Sequence, residues 1–413
     1  MTHIPGLGEI PDSWRSERAR WLLHRKQRTV RPSDKIVTAF RDGEVTLRER
    51  RRTEGFTNAI HEIGYQGIRE GDLVVHAMDG FAGAIGVSDS DGKASPVVHA
   101  YRTAETSDAR FIAYALRTMA SSGYVATLAK GIRERSTSFD AATLADVLLP
   151  APPLEEQRRI ADFLDAETAR IDILSKTYES TKSMINDRAQ FLIDALIDGI
   201  SDPVPLKYFV KFREGPGIMA IDFQETGTPL IRVSGLQDGE VTLNGANYLS
   251  KEKVSAQWSQ FRLKLGDYLI SGSATMGAVS IVKDPSVVGA IPYTGLIILR
   301  PADPSVVMEY IATALRSSLF IRQIDLLKTG AAMQHFGPTH LAQVSLPIPE
   351  RERQKDIAST ARDIGGQSAA ATAAIDRQLS LLSERRQALI TAAVTGQFDV
   401  TTAGRSTPSG GNA

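Results

Sequence analysis

Apolar residues recur at alternating spacings of four and three through two long stretches of the chain. The first row is Ile160, Leu164, Ile171, Leu174, Tyr178, Ile185, Leu192 and Ala195, with polar breaks at Glu167, Thr181 and Arg188. The second is Ile357, Ala361, Ile364, Ala371, Ile375, Leu382, Leu389 and Ala392, broken at Ser368, Gln378 and Arg385. This alternation keeps one stripe of a helix apolar and is the seam of a coiled coil. It predicts two helices of roughly 40 residues, about 60 Å long at ~1.5 Å per residue. Pro150, Pro152 and Pro153 end the strand before the first helix, because proline cannot donate to a ladder. Glu155 and Glu156, then Glu350 and Glu352, place carboxylates where each helix dipole favours them. Gly199 and Gly396 are the expected left-handed residues that close the helices. Two matched seams in one chain are expected to pair with each other, and the alanines of the second permit close approach.

The two stretches are copies. Asp146-Val-Leu-Leu-Pro-Ala-Pro-Pro-Leu-Glu-Glu-Gln-Arg-Arg-Ile160 aligns with Gln343-Val-Ser-Leu-Pro-Ile-Pro-Glu-Arg-Glu-Arg-Gln-Lys-Asp-Ile357 at an offset of 197 residues. The register holds without a gap from Leu144 to Gly199, through Gln190/Gln387, Leu192/Leu389, Ile193/Ile390 and Ala195/Ala392. Between Asp162 and Lys182 identities vanish. The segments before each helix repeat more loosely. Gly71-Asp72-Leu-Val-Val75 matches Gly266-Asp267-Tyr-Leu-Ile270, each followed by a Gly-rich turn, at 80–86 and 271–277. Phe111-Ile-Ala-Tyr-Ala-Leu-Arg117 matches Tyr310-Ile-Ala-Thr-Ala-Leu-Arg316 as a short helix. Short β-rich runs broken by Gly and Pro, with a helix or two, predict an α+β class. The whole reads as a pseudo-two-fold tandem repeat: two globular domains, 1–148 and 201–346, separated by long helices at 149–200 and 347–399 that form an antiparallel coiled coil. A small, polar tail at 400–413 is expected to be disordered.

Composition narrows the chemistry. The 413 residues carry 48 Lys and Arg against 48 Asp and Glu, and no cysteine. A disulfide framework, thiolate metal sites and a cysteine nucleophile are therefore excluded. No signal peptide and no apolar run of membrane-span length occurs, which predicts a cytoplasmic chain with no membrane partner. Charge is unevenly placed. Residues 1–60 hold 13 Lys and Arg against 8 Asp and Glu, whereas 149–200 hold 6 against 10. A chain that bound DNA by phosphate neutralisation alone would be more basic, so a DNA reader of this charge needs partners to share the electrostatics.

The layout resembles the specificity subunits of type I restriction–modification systems, over nearly the whole chain. The resemblance rests on Gly8-Glu9-Ile10-Pro11-Asp12-Ser13-Trp14, the Gly-Asp motifs at 71 and 266, and two Leu-Pro-x-Pro elements. These run Leu149-Pro150-Ala-Pro152-Pro-Leu-Glu155-Glu-Gln157 and Leu346-Pro347-Ile-Pro349-Glu-Arg-Glu352-Arg-Gln354. The second domain opens Pro203-Val-Pro-Leu-Lys-Tyr-Phe209 and lacks a counterpart of Ile10-Pro11-x-x-Trp14. The resemblance implies a non-catalytic subunit with two target-recognition domains, each reading half of a bipartite double-stranded DNA sequence. The helical pair would then set the spacing. It implies two methyltransferase subunits docked on the helices and motor-nuclease subunits in the full complex. S-adenosylmethionine, ATP and Mg2+ would then belong to those partners, none to this chain. A methyltransferase-only or other phage-defence complex is the alternative setting. A fused restriction–methylation enzyme fragment is a weaker one, since no Asn/Asp-Pro-Pro-Tyr/Phe motif and no Walker A sequence occurs. The glycines of Phe81–Gly86 lack the strand–loop–helix context of a cofactor loop.

Candidate DNA contacts are Arg50, Arg51 and Arg52, then Lys130, Arg133, Arg135 and Ser136 before the first helix. Their counterparts are Lys328, Thr329, Gln334 and His335 before the second. Ser271 and Ser273 sit in the Gly-rich turn of the second domain. Arg, Gln and hydroxyl side chains suit base edges or phosphates, although a solvated basic face explains Arg48–Arg52 equally well. Partner docking at the helix starts is assigned to Glu155, Gln157, Ile160 and Leu164, and to Glu352, Gln354 and Ile357. His76 and His99 are expected to be ordinary core or surface histidines. Trp14, Trp21 and Trp258 are expected to be packing residues.

Overall fold

A computed structural model describes residues 2–51, 63–128, 138–237, 239–273, 277–327 and 335–400. The chain divides into two compact units, Met1–Tyr178 with Arg377–Ala413, and Glu179–Asp376. Each long helix therefore contributes to both units.

In the first unit β1 (Arg15–Arg18), β2 (Leu23–Lys26), β3 (Leu73–His76), β4 (Ile85–Val87) and β5 (Val98–Thr103) precede α1 (Ala109–Ser121). Then come β6 (Leu148–Ala151) and the 44-residue α2 (Leu154–Ile197). The main sheet has the order β2-β5-β3-β4, antiparallel throughout. Its core face carries Leu73, Val75, Ile85 and Tyr101, covered by Phe111, Leu116 and Met119 of α1. Asp108 caps α1, its carboxylate accepting from the amides of Arg110 and Phe111. Pro150 lies inside β6 rather than ending a strand. The ribbon β1-β6 has two strands only, so the missing donor meets no neighbour.

The second unit follows the same plan with β7 (Pro203–Pro205), β8 (Val210–Glu214), β9 (Tyr268–Ser271), β10 (Val279–Ile281) and β11 (Leu296–Pro301). It continues with α3 (Met308–Ala314), β12 (Ser345–Pro347) and the 44-residue α4 (Arg351–Val394). Its sheet runs β8-β11-β9-β10 and extends by a hairpin of Glu240–Val241 and Leu236–Gln237. The ribbon β7-β12 answers β1-β6.

Within each unit the long helices run antiparallel. In the first, Arg386 donates to the Thr168 carbonyl (3.1 Å) and pairs with Asp172, while Arg385 lies 3.7 Å from Glu167. In the second, Lys182 pairs with Asp376 (2.6 Å), and Ser368 donates to Asn186 (3.5 Å). The seam keeps its seven-residue repeat but not its second position. The sheltered row on α2 is Leu164, Thr168, Ile171, Ser175, Tyr178, Lys182, Ile185 and Ala189. Leu174, expected inside, is 46% exposed. On α4 Leu379, Arg386 and Ala393 replace Gln378, Arg385 and Ala392 in the row. At the second position of the repeat, small or ion-pairing side chains (Thr168, Ser175, Lys182 and Ala189) take the inner place, where Arg386 and Asp376 of the facing helix make polar contacts. Gly199 and Gly396 close the helices at φ +69° each. Of the expected tail at 400–413, Val400 packs on the first unit's core, and the rest lies outside the described residues.

Candidate nucleic-acid interface

The Gly-Asp motifs organise both units in the same way. Asp72 is fully buried and accepts from the Arg69 amide (2.8 Å), from Arg102 (2.7 Å) and from Arg28 (2.5 Å). Asp267 accepts from the Lys264 amide (2.8 Å) and from both Nε and Nη2 of Arg300 (2.8 and 2.6 Å). Each carboxylate thus ties the turn before one strand to an arginine on the neighbouring strand. Charge-assisted pairing of this kind is the strong form of hydrogen bond.

Six consecutive residues at 42–47 and 238–243, Asp-Gly-Glu-Val-Thr-Leu, are identical in the two units. Within them Gly43 (φ +90°) and Gly239 (φ +80°) lie at hairpin turns. Beneath them lie Arg117 and Arg316, the matched ends of the Ile-Ala-x-Ala-Leu-Arg motifs. A Cβ on Gly43 would come within 2.4 Å of the Arg117 guanidinium, and one on Gly239 within 3.3 Å of Arg316. Burial lowers the pKa of both arginines. Arg316 donates to the Val279 carbonyl (2.9 Å).

Most of the described residues expected to touch DNA or partners have internal uses. Arg50 donates to Ser90 (3.0 Å) and Asp89 (3.2 Å). Arg51 pairs with Asp42 and Glu44 and stacks over Phe40 at 4.3 Å; the Asp42 hydrogen bond raises its pKa. Both are neutralised locally. Arg52, Lys130, Arg133, Arg135, Ser136, Lys328, Thr329 and Gln334 lie outside the described residues. Ser271 is fully buried and donates to the Ser273 carbonyl (2.5 Å), so it faces no solvent; Ser273 is half-buried and His335 exposed.

At the helix starts most of the side chains expected to dock partners turn inward. Gln157 is buried: its Oε1 accepts from the Asp108 amide (2.9 Å), and its Nε2 donates to the carbonyls of Pro152 (2.8 Å) and Thr106 (3.1 Å). Gln354 repeats the clamp on the Val307 amide (2.8 Å) and the carbonyls of Pro349 (2.8 Å) and Ser305 (3.4 Å). Ile160, Leu164 and Ile357 are buried in their own unit's core. These side chains hold the helix starts to the loops before α1 and α3, and only Glu155 and Glu352 are left facing outward, each paired to a basic residue three positions on.

Trp14 is buried, donates to Glu156 (3.2 Å) and meets Phe111 edge-on. A Cβ on Gly396 would come within 2.6 Å of Pro11 and 3.1 Å of Trp14, so Ile10-Pro11-x-x-Trp14 seats the end of α4 on the first unit. Trp258 is buried as expected, but Trp21 is 66% exposed. His76 accepts from the Asp79 amide (3.1 Å). His99 is buried with Nδ1 lacking a partner, and so is the Tyr101 hydroxyl. Burial pushes that phenol up to about 12.

One basic run gave no sign of itself in the sequence pattern: His24-Arg25-Lys26-Gln27-Arg28, on β2 and the residues after it. Arg28 is taken by Asp72, yet among the described residues Arg25, Lys26 and Gln27 have no hydrogen-bonding or ion-pair partner. The signal that could have found it is basic density, the highest outside Arg48–Arg52. Among the described residues no group of His, Asp and Glu is arranged to hold a metal ion, and no helix is long and apolar enough to cross a membrane.

No family model matches the chain. The specificity subunit of the type I restriction enzyme EcoBI of Escherichia coli is 23% identical over 284 residues, 62% of this chain and 59% of its own length. That of the MjaVIII enzyme of Methanocaldococcus jannaschii is 20% identical over 246 residues, 54% of this chain and 57% of its own. The chain thus matches less than two thirds of these curated relatives' length. A solved structure from a study of type I restriction–modification complex assembly and conformational transition matches with a TM-score of 0.74, at 19% identity over 94% of this chain and all of that one. The HsdS subunit of Thermoanaerobacter tengcongensis matches with a TM-score of 0.51, at 20% identity over 94% and 98%. With α+β units, long paired helices and the repeated Gly-Asp and Gln clamps already in place, the chain is a relative of the type I restriction enzyme specificity subunits and shares their fold.

Proposed function

We propose that the chain is the DNA-specificity subunit of a type I restriction–modification complex, itself non-catalytic. Each globular domain, 1–148 and 201–346, reads one half of a bipartite duplex target, and the paired helices fix the spacing. Two methyltransferase subunits bind alongside, with motor-nuclease subunits in the full complex. S-adenosylmethionine, ATP and Mg2+ act on those partners. The observation that carries this reading is a common frame under unlike surfaces. Both units keep the Asp–Arg tie, the Gln clamp and the Asp-Gly-Glu-Val-Thr-Leu hairpin, while most of their other residues differ. A pair of readers for two different half-sites needs that combination, because phosphate contacts can be shared whereas base contacts cannot. The neutral overall charge fits a reader whose partners supply part of the phosphate contacts.

Co-expression with a type I methyltransferase subunit in a cell lacking adenine methylation, followed by methylation mapping, tests it. A bipartite motif is expected. Replacing residues 1–148 by the first domain of a relative is expected to change one half only. Changes in both halves, or no motif with the unaltered chain, would sink the reading.

A further inference from the structure

Most of the first unit's described arginines are committed, although Arg15, Arg159 and Arg377, all outside the main sheet, are also exposed and unpaired among the described residues. Arg28 and Arg102 serve Asp72, Arg31 pairs with Asp91, Arg41 with Asp79, Arg69 with Asp34, and Arg50 and Arg51 with the acids named above. Arg25 is the exception on β2, exposed and without a partner among the described residues, next to Lys26 and followed by Gln27. β2 is the edge of the sheet, and among the described residues the outer side of Leu23–Lys26 pairs with no other strand; just beyond it the Gly67 amide donates to the Arg28 carbonyl (2.9 Å). Around the end of β2 lies an open pocket of about 420 Å3, lined by Arg25, Gln27, Arg28, Thr29, Tyr65 and Gln66.

The neighbouring strand adds a second, independent feature. Arg25 stands directly across from Tyr101 on β5, and the same register carried one pair further sets Gln27 across from His99. Residues two apart on a strand share a face, so these four positions lie together. His99 and Tyr101 are more than nine-tenths buried and carry polar atoms with no partner. The second unit has nothing similar. There the matching positions, set by Leu299 across from Tyr268 and Phe212, are Phe212, Glu214, Ile297 and Leu299. A core face needs no unsatisfied phenol and imidazole beside a free arginine, and their cost is comparable to a lost hydrogen bond each.

We propose that the edge of β2, with Arg25, Gln27 and Thr29 beside the Tyr65 pocket, is the surface by which the first unit contacts its half of a DNA duplex. The proposal rests on the reading of the chain as a DNA-specificity subunit. The side chains suit base readout, since an arginine fork matches guanine O6 and N7, and a carboxamide matches adenine N6 and N7. Charged groups on an edge strand can instead serve only to prevent strand-to-strand association, and the test separates the two.

The full chain, in complex with a methyltransferase subunit, is used to enrich a random 40-base-pair duplex pool (about four helical turns at roughly 10 base pairs per turn), and the bound fraction is sequenced. Arg25→Ala with Gln27→Ala is expected to reduce base preference in one half of the motif by about tenfold or more, leaving the other half and the melting midpoint unchanged. Loss of all enrichment by a variant that melts like the parent also supports duplex contact at this edge. An unchanged motif, whether or not the variant aggregates, overturns the proposal. If the double variant melts early, Gln27→Glu decides instead, since that exposed side chain holds nothing in place: a changed half-motif supports the proposal and an unchanged one overturns it. A parent chain that enriches no bipartite motif overturns the specificity-subunit reading, and this proposal with it.

Discussion

The two units solve one structural problem twice, and a single contact shows how far the solutions have drifted. In the first unit Arg110, at the start of α1, reaches Asp165 on α2 at 2.8 Å. In the second, Glu309 at the start of α3 receives Arg362 of α4 at 2.8 and 2.6 Å. Asp165 and Arg362 are 197 residues apart, the offset of the helical repeat. The ion pair persists with its charges exchanged. What is retained is the attraction between two places in the fold, not the residues that supply it. The Gln157 and Gln354 clamps, by contrast, keep both residue and geometry. A buried carboxamide that serves an amide and two carbonyls has no substitute of equal shape, whereas an exposed ion pair works in either polarity. The core face beside the sheet edge differs most: His99 and Tyr101 in the first unit, Ile297 and Leu299 in the second. Frame contacts are shared, replaceable contacts are inverted, and the faces beside the sheet edges are unrelated.

The largest test of this comparison is the Asp–Arg tie. Asp72→Ala removes the acceptor of one turn amide and two guanidinium groups, Asp267→Ala that of one amide and one guanidinium. We expect a loss of about 3 kcal/mol for the first and about 2 kcal/mol for the second, from hydrogen bonds to a charged group. Urea denaturation of the full chain measures both. Equal losses would mean that Arg28 adds nothing to the Asp72 site and that the two ties are equivalent.

The inverted pair gives a smaller effect. Arg110→Glu sets a carboxylate beside Asp162 and Asp165, and we expect it to cost about 1 kcal/mol, the scale of exposed ion pairs. Adding Asp165→Arg rebuilds the polarity of the second unit and should recover roughly half of that, read as a coupling energy in a double-mutant cycle. Zero coupling would show that the exchange of charges is coincidence rather than compensation.

Much of the frame is legible along the chain alone. The 197-residue register locates both helices, their glycine ends and the Leu-Pro-x-Pro elements, because helix periodicity and turn chemistry are local properties. The seam's inner position is misplaced at Leu174. Apolarity alone assigns it there, and the partner helix accepts Ser175 and Lys182 instead. Gln157 and Gln354 look like docking residues, since a glutamine in a helix's first turn is ordinarily exposed. Only the fold brings the Asp108 and Val307 amides to them. The arginines at 50 and 51 look free for the same reason: Asp42, Glu44 and Asp89 are near them in space and partly distant in sequence. Arg25 does not stand out because neutrality is a property of pairs, and pairs are not visible along a chain.

The smallest effect concerns the polar face that distinguishes the units. Burial lowers the His99 pKa from its usual 6.5, the Arg25 charge lowers it further, and Asp140 opposes both only in part. The folded chain therefore binds fewer protons at this imidazole than the unfolded chain as pH approaches 6.5 from above. By linkage, stability from this group is complete above 6.5, begins to be lost as pH falls below that value, and continues to fall down through the lower folded-state pKa. His99→Leu, which gives the first unit an apolar residue like Ile297, should make the decline between pH 7.5 and 5.5 (values about one unit either side of the free imidazole) shallower by less than about 1 kcal/mol. His76 is lowered by burial too, and its charge lowers His99 in turn, so the difference between the two urea-denaturation series reports His99 together with its coupling to His76. Parallel series would mean that His99 binds protons alike in the folded and unfolded chains, as it would if the protonated imidazole gained a partner in the fold. The orphaned imidazole would then no longer mark an energetic difference between the two units.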